Sequence, residues 1–459
     1  MDPVRAHMLL ALTMAALVVG WGVMLSPPFR ELRAGLGMPT ELPGARYNAS
    51  VGAAEIISPD EEGAKFFMAR VAHFYHSTFA VLLYGMAAVL VMIRRELGSD
   101  VLNLTLLGTL ATVLGAQIYS YVSRTFFWHG LFISGLAIIF SSGLLIALRF
   151  RPSNPLELSL HLALILLLIG GVIGAYVGSS YMNPELARDF ERAKILARFN
   201  PDLAEENEIW RAMTGHLHTM VALATTATYL LAVMILGLRE GTLPRLATYL
   251  VILGELVMAV SSYSVWFFGK VAHLIITPAA LLLIASTLIL SFMVRSVSRG
   301  FLDPKGPLLW GIRLGNLWTW AFIAVPGALV AMSLRRPLFF DPEFRNEVWD
   351  WAELSYNIGH WHEILLLWGV VLLLVYISQL RGYGRLASIS GWLSLTGMLL
   401  AMAAINLYML ANPPGRYSPN PYSNFWLSHL VEPGLVVMSA GIVLSYLAFL
   451  LDLLRPRGA

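Results

Sequence analysis

Nine of the eleven histidines in the 459-residue chain follow a pattern that recurs three times. Each copy has two histidines near the start of one apolar stretch. A third histidine lies near the start of another apolar stretch, two stretches further along the chain. The nine are His73, His76, His129, His216, His218, His273, His360, His362 and His429. Because imidazole is a ligand for heme iron, copper, zinc and non-heme iron, this set predicts a metal or heme site.

The spacing between corresponding histidines is nearly constant. His76 and His218 are 142 residues apart, and His218 and His362 are 144 apart. The second set repeats at 144 and 156 residues, and the insertion ANPPGRYSPNPYSN accounts for the longer interval. Internal periodicity normally means that one structural unit has been copied. The sequence therefore predicts a single integral membrane domain, 1–459, built from the repeats 1–150, 151–300 and 301–459.

A single histidine at the end of a membrane helix is often a solvated or hydrogen-bonded cap, and that interpretation stays open for each position alone. An ionisable side chain in a membrane helix is costly, so its recurrence in all three copies favours a functional site. In the strings GHLH and GHWH, the two histidines lie about 200° apart around the helix. They are expected to face different sites, whereas His73 and His76 are three residues apart and are expected to share a face.

The elements that carry these histidines are predicted to be membrane helices. The chain is 57% hydrophobic and 13% charged, whereas a soluble domain has about a quarter charged residues. A bilayer span takes about 20 apolar residues whose backbone groups are satisfied within the helix. Such stretches fall at 8–26, 71–93, 99–121, 128–148, 158–181, 216–237, 246–268, 273–294, 308–332, 363–380, 386–411 and 428–451. The predicted fold class is an all-α polytopic membrane protein of about twelve helices, in three four-helix repeats around a pseudo-threefold axis.

Basic residues are distributed unequally between the two ends of these helices. With a cytoplasmic N-terminus, most Lys and Arg residues, such as Arg94 and Arg149, fall in the short inner connections. This positive-inside bias predicts that both termini are cytoplasmic and that the protein is a multi-pass protein of the cell membrane. The basic residues then need no nucleic-acid partner, and the histidines lie in the outer leaflet.

Three carboxyl groups in the predicted membrane helices are candidates for supporting roles, two of them close to histidines and Glu255 in the middle of its helix. Glu255, Glu363 and Glu432 are predicted to relay protons, to bind a second metal or to hydrogen-bond a histidine. The alternative is that each is paired with a neighbouring helix. The chain has no cysteine, which excludes thiolate metal sites, iron–sulfur clusters and covalently attached heme. Heme iron or a histidine-rich metal site is the remaining interpretation.

Several basic residues lie within two helical turns of the histidines. They could bind heme propionates, or they could anchor the membrane interface. These residues are Arg70, Arg124, Arg211 and Lys270.

The arrangement resembles the catalytic subunit of heme-copper oxidases and nitric oxide reductases. The string NIGHWHEI, with His360 and His362, is similar to the helix-10 motif of that superfamily, and AHFYH occupies the place of its helix-2 histidine. The resemblance implies that His362 and His76, or His73, ligate a low-spin heme and that His360 ligates a high-spin heme. His216 or His218 then takes the place of the helix-6 copper or iron ligand.

The chain departs from that superfamily at two points. Residues 246–268 contain no histidine, where the superfamily has a His-His copper pair, and the tyrosine after the helix-6 histidine is absent. The resemblance therefore implies one or more b-type hemes, with copper or non-heme iron as an alternative. It extends to heme- and copper-containing membrane proteins of the nitric oxide response.

The predicted function is that of a membrane heme protein of a respiratory or redox chain, either an oxidoreductase or an electron-transfer subunit. Its expected partners are the bilayer, other respiratory subunits, and a quinol, cytochrome or cupredoxin on the outer side. One alternative is a quinone-reactive anchor of a periplasmic redox enzyme. Another is a metal-binding transporter, although transporters of twelve helices are usually built as two six-helix halves.

Overall fold

The computed structural model describes residues 3–24, 29–37, 45–48, 53–56, 62–196, 206–295, 301–324, 350–380, 383–411 and 430–454. Nearly all of these residues are helical. The first seven helices are α1 (Pro3–Met24), α2 (Arg30–Gly35), α3 (Glu62–Ile93), α4 (Ser99–Tyr121), α5 (Phe126–Arg149), α6 (Pro155–Ser179) and α7 (Pro184–Leu196). The others are α8 (Glu208–Leu236), α9 (Thr242–Phe268), α10 (Lys270–Phe292), α11 (Lys305–Trp318), α12 (Asp350–Ile377), α13 (Gly384–Ala411) and α14 (Val431–Leu454).

Short elements complete the described residues. A π-helical segment, Thr319–Ala324, continues α11. Single 3-10 turns lie at Arg95–Leu97 and Ser180–Met182. The strands β1 (Ala45–Asn48) and β2 (Ala53–Ile56) form a small antiparallel hairpin in which Ala45 pairs with Ile56.

The predicted membrane character is confirmed. Within the described residues, nine helices are long and apolar enough to cross a bilayer, and two shorter apolar helices lie at Pro3–Val18 and His362–Ile377. Each of the twelve predicted stretches contains a helix, because an apolar run in a bilayer must satisfy its backbone groups internally. The chain is therefore a multi-pass α-helical membrane protein, while the count of twelve spans stays a prediction.

Three helices, α3, α8 and α12, pack against one another at the centre of the molecule. Around them, the closest helix pairs are α4 with α5, α9 with α10, and α13 with α14. Each pair approaches at a glycine: a Cβ on Gly108 would lie 2.9 Å from the Gly135 oxygen, and one on Gly254 would lie 2.9 Å from the Leu283 Cα. Small residues permit this backbone contact, which is a main source of helix association in membranes.

The first and last membrane helices are joined at the end opposite the histidines. The Arg5 guanidinium pairs with the buried Asp452 carboxylate at 2.5 Å and also donates to the Gln379 carbonyl oxygen at 3.1 Å. Arg5 lies on α1, Asp452 on α14, and Gln379 follows α12, so one side chain holds three helices together. This contact therefore ties the N-terminal helix to the C-terminal helix.

A surface helix, α7, lies in the connection between the membrane helices α6 and α8. Helix α7 packs on α3 and α8, and its Phe190 joins an apolar cluster with Val177, Ile209 and Ala212. The apolar residues of ELARDFERAKIL recur at helical spacing, so this helix was detectable from its period. Its docking covers the histidine-bearing ends of the central helices.

The positive-inside rule gives a direct test of orientation. Single cysteines placed at Glu240 and Tyr383, in this naturally cysteine-free chain, are expected to react with a membrane-impermeant maleimide only after the cells are opened. A cysteine at the exposed Asp189 on α7 is the matched control and should react in intact cells. Labelling of position 240 or 383 in intact cells would contradict the predicted topology.

Candidate functional site at the histidine end of the central helices

Each of the three central helices carries two of the predicted histidines in its N-terminal half, and we call this end of the bundle the histidine end. Because α3, α8 and α12 are in mutual contact, histidines at similar depths are brought to one end of the bundle. The helices supply His73 and His76, His216 and His218, and His360 and His362. The histidines that repeat along the sequence therefore lie at the same end of three contacting helices.

The first cluster is aromatic and joins α3 to α5. The buried His73 ring lies 5.8 Å from His129 and 4.9 Å from Phe132, measured between ring centroids, and Tyr119 lies 5.1 Å away. The His76 ring also contacts Phe132, at 5.4 Å. His73 and His76 therefore share a face of α3, as their spacing predicts, and His129 joins them.

Three histidines direct Nδ1 at a backbone carbonyl oxygen. His76 Nδ1 lies 2.7 Å from the Ala72 oxygen, and His218 Nδ1 lies 2.8 Å from the Thr214 oxygen, four residues earlier in each case. His216 Nδ1 lies 2.7 Å from the Gly170 oxygen on α6. A carbonyl oxygen can only accept, so Nδ1 carries the proton. In the neutral ring, Nε2 then presents the lone pair, which is the arrangement of metal-ligating histidines.

The two histidines on α8 have different neighbours. His216 fits against Gly174 of α6, where an added Cβ would lie 2.6 Å from its Cε1 atom. His216 lies near His76 of α3, whereas His218 lies near His360 of α12. The two α8 histidines therefore have different neighbours, and their assignment to two separate sites stays a prediction.

The remaining predicted ligands are more exposed or lie outside the described side chains. The His362 side chain is exposed and His360 is half-buried. His429 lies outside the described residues, as does the side chain of His273. Among the side chains that the structure does describe, no three His, Asp or Glu residues are grouped so that they could hold one metal ion.

Two of the basic residues that were predicted to bind propionates or to anchor the interface each contact the end of a neighbouring helix. Arg70 Nε donates to the Ser120 oxygen at the end of α4, and Arg211 Nε donates to the Trp266 oxygen at the end of α9, at 2.6 and 3.1 Å. The last carbonyls of a helix lack intrahelical partners and carry partial negative charge, so a guanidinium stabilises them. These contacts favour the interfacial anchoring role for both arginines.

The predicted carboxyl groups separate into two buried positions and one partly exposed position. Glu363 accepts a hydrogen bond from Asn406 Nδ2 of α13 at 2.5 Å, and Glu255 accepts one from Ser159 Oγ of α6 at 2.9 Å. Both side chains are fully buried, and Glu432 is half-buried. Each buried carboxyl is thus held by a neighbouring helix, which agrees with the structural alternative.

Lys194 on α7 was not among the residues selected from the sequence. It is 6% exposed, and its ammonium group donates to the Tyr181 hydroxyl at 2.5 Å. The Tyr181 ring in turn lies 6.4 Å from His129. Burial lowers the pKa of Lys194 to about 8, because a desolvated ammonium is less stable than a hydrated one. The helical period of α7 was the signal that could have revealed it.

No protein-family model and no curated protein matches this chain. The functional inference therefore depends on the geometry of the histidine end.

Proposed function

We propose that the chain is a membrane heme protein that moves electrons through one or more b-type hemes at the histidine end, resembling a heme-copper oxidase catalytic subunit. The observation that carries this proposal is the set of three histidines, His76, His216 and His218, whose Nδ1 protons are bound by backbone carbonyls. That hydrogen bond fixes the tautomer and the orientation of the ring, and it raises the basicity of Nε2.

The chemistry of the donor set fits a heme. When bound, a heme iron would supply a one-electron redox couple, and histidines from neighbouring helices would hold it. The expected low-spin pair is His76 and His362, with His73 in place of His76 as an alternative. Pairing of His218 with His273, or of His362 with His429, remains open, and so does a second heme.

The protein side chains have separable tasks in this proposal. Carbonyl groups of Ala72 and Thr214 orient two imidazoles, and Gly174 leaves room for a third beside α6. Aromatic rings, including Phe132 and Tyr119, pack against His73 and His129. A low dielectric around a redox centre tunes its potential.

We also propose that the fold is built from twelve helices in three four-helix units around a pseudo-threefold axis. Support comes from the packing: α3, α8 and α12 occupy the centre, and each is followed in sequence by one of the three closely packed peripheral pairs. His76 and His218 repeat the same hydrogen bond to the carbonyl four residues earlier. Arg70 and Arg211 likewise repeat one contact with the end of the next membrane helix.

An optical spectrum of the purified protein tests the proposed cofactor. We expect a Soret band and, after reduction with dithionite, sharp α and β bands of a six-coordinate low-spin heme. The pyridine hemochrome should have the position of heme b, since the chain has no cysteine for covalent attachment. A preparation with bound copper or zinc and no heme would retain the histidine site but contradict the proposed function.

A further inference from the structure

A buried lysine, Lys194, lies near the histidine end and has no role in the proposed heme ligation. Its ammonium group is buried against the rings of Tyr181 and Phe190, at 5.2 and 4.8 Å from their centroids. Within the described residues its hydrogen-bond partner is the neutral Tyr181 hydroxyl, and no carboxylate lies within ion-pair distance. A buried cation of this kind is costly unless an anion compensates it.

Two charged groups act on Lys194 from nearby. The Glu191 carboxylate on α7 stabilises the ammonium group, and the Arg124 guanidinium, in the α4–α5 connection, has a weaker opposing effect. Arg124 also acts on His129 and lies over the Tyr119 ring, 5.5 Å from its centroid. Lys194 and Arg124 are two cations against the single carboxylate of Glu191, so this group of side chains near His76 carries a net positive charge.

We propose that Lys194 and Tyr181, with Arg124 beside them, form a binding site for a carboxylate at the histidine end. The ammonium and hydroxyl groups are 2.5 Å apart, so one carboxylate oxygen can accept from the ammonium while another accepts from the hydroxyl. Hydrogen bonds between ionised groups are about twice as strong as neutral ones. The site lies under α7, which packs on both α3 and α8.

Two sources can supply this carboxylate, namely a heme propionate or a small free carboxylate. Assignment to a propionate rests on the proposed function, whereas the anion site itself does not. A bound anion stabilises the charged form of Lys194, so it should raise the pKa of that group from about 8 toward the ordinary lysine value. The reactivity of the amine therefore reports occupancy without any measurement of activity.

The experiment is reductive dimethylation of the full-length protein across pH, read residue by residue by mass spectrometry. The chain has four lysines, Lys65, Lys194, Lys270 and Lys305, so each modified peptide is readily assigned. In protein depleted of heme and small anions, Lys194 should react half-maximally near pH 8. Addition of the occupant should move that midpoint upward by about one unit or more.

Three probes distinguish the sources. A shift with heme b but not with heme dimethyl ester, which lacks free carboxylates, identifies a propionate. If formate but not heme b shifts the pH midpoint of Lys194 modification, and Tyr181→Phe makes that shift smaller, the site binds a free carboxylate. If neither heme b nor formate changes the reactivity of Lys194, the anion site is wrong. When the wild type binds no heme, the proposed function fails and the formate arm still decides this inference.

Variants provide a second measurement for the propionate arm. Lys194→Met fills similar volume without the charge, so it should fold and bind heme b about 10- to 100-fold more weakly, the loss expected for one charged hydrogen bond. Affinity for the dimethyl ester should not change, and Lys194→Arg should recover most of the preference for the acid. Lys305→Met, at the start of α11, is the matched control. Equal loss of acid and ester affinity in Lys194→Met would indicate a structural role and reject propionate binding.

Discussion

Replacing His362 with alanine is expected to remove a low-spin heme signal while the protein remains inserted and helical. Insertion depends on the apolar helix His362–Ile377 rather than on the ligand. Loss of one axial imidazole leaves the iron five-coordinate and changes its spin state. The measurement is heme content per protein, together with the reduced optical spectrum and the low-temperature electron paramagnetic resonance of the oxidised protein.

Comparison with other histidine variants makes this result specific. If His362 and His76 are the ligand pair, His76→Ala should also remove the low-spin signal. If His73 is the second ligand instead, His73→Ala should remove it and His76→Ala should not. His161→Ala is the matched control, because His161 stacks on Phe150 near the opposite end of α6. Full heme content and an unchanged spectrum in His362→Ala would rule out this ligand and redirect the search to His218 and His360.

The second large effect is expected from Gly397→Val, in the closest of the peripheral helix pairs. A Cβ at Gly397 would lie 2.7 Å from the Gly434 oxygen and would also meet the Met438 nitrogen. These are backbone atoms that cannot move aside without separating α13 from α14. Overpacking typically costs about 1–3 kcal/mol and more where the neighbours are rigid, so we expect about 3 kcal/mol. The midpoint of thermal unfolding in detergent measures the loss.

Corresponding glycines extend this test to the proposed repeat. Gly108 and Gly254 meet backbone atoms of α5 and α10 in the same way, and the three glycines are separated by 146 and 143 residues. Valine at each should destabilise the protein comparably. Gly178→Val is the control, since an added Cβ there meets nothing within 4 Å. Equal melting temperatures for Gly397→Val and Gly178→Val would show that close α13–α14 packing does not limit stability.

The same packing explains why the interior can hold polar side chains. In a bilayer, helix association cannot draw on the hydrophobic effect, so close backbone contact and interhelical hydrogen bonds take its place. Glu255 with Ser159 and Glu363 with Asn406 are such bonds between helices. Glu363 follows His362 directly, so its hydrogen bond to α13 also limits the rotation of α12 at the proposed ligand. That coupling links helix packing to the geometry of the histidine end.

The apolar helices were determined by the sequence alone. They follow from a local quantity, because an apolar run of sufficient length must be helical in a bilayer. The depth of each histidine, set by its position along the run, stays a prediction. Helical periodicity also predicted that His216 and His218 face different neighbours, because 3.6 residues per turn separates them around the axis.

Which side chains meet was decided only by the tertiary structure. The sequence predicted that Arg70 and Arg211 bind propionates or anchor the membrane interface, and it gave no sign that each donates to a backbone carbonyl of the next membrane helix. Every residue has such a carbonyl, so no pattern of side chains marks the one that is used. Lys194 was missed because its burial depends on α7 folding back over α3 and α8. The rotation and separation of neighbouring helices set these contacts, and those quantities depend on packing between segments far apart in the chain.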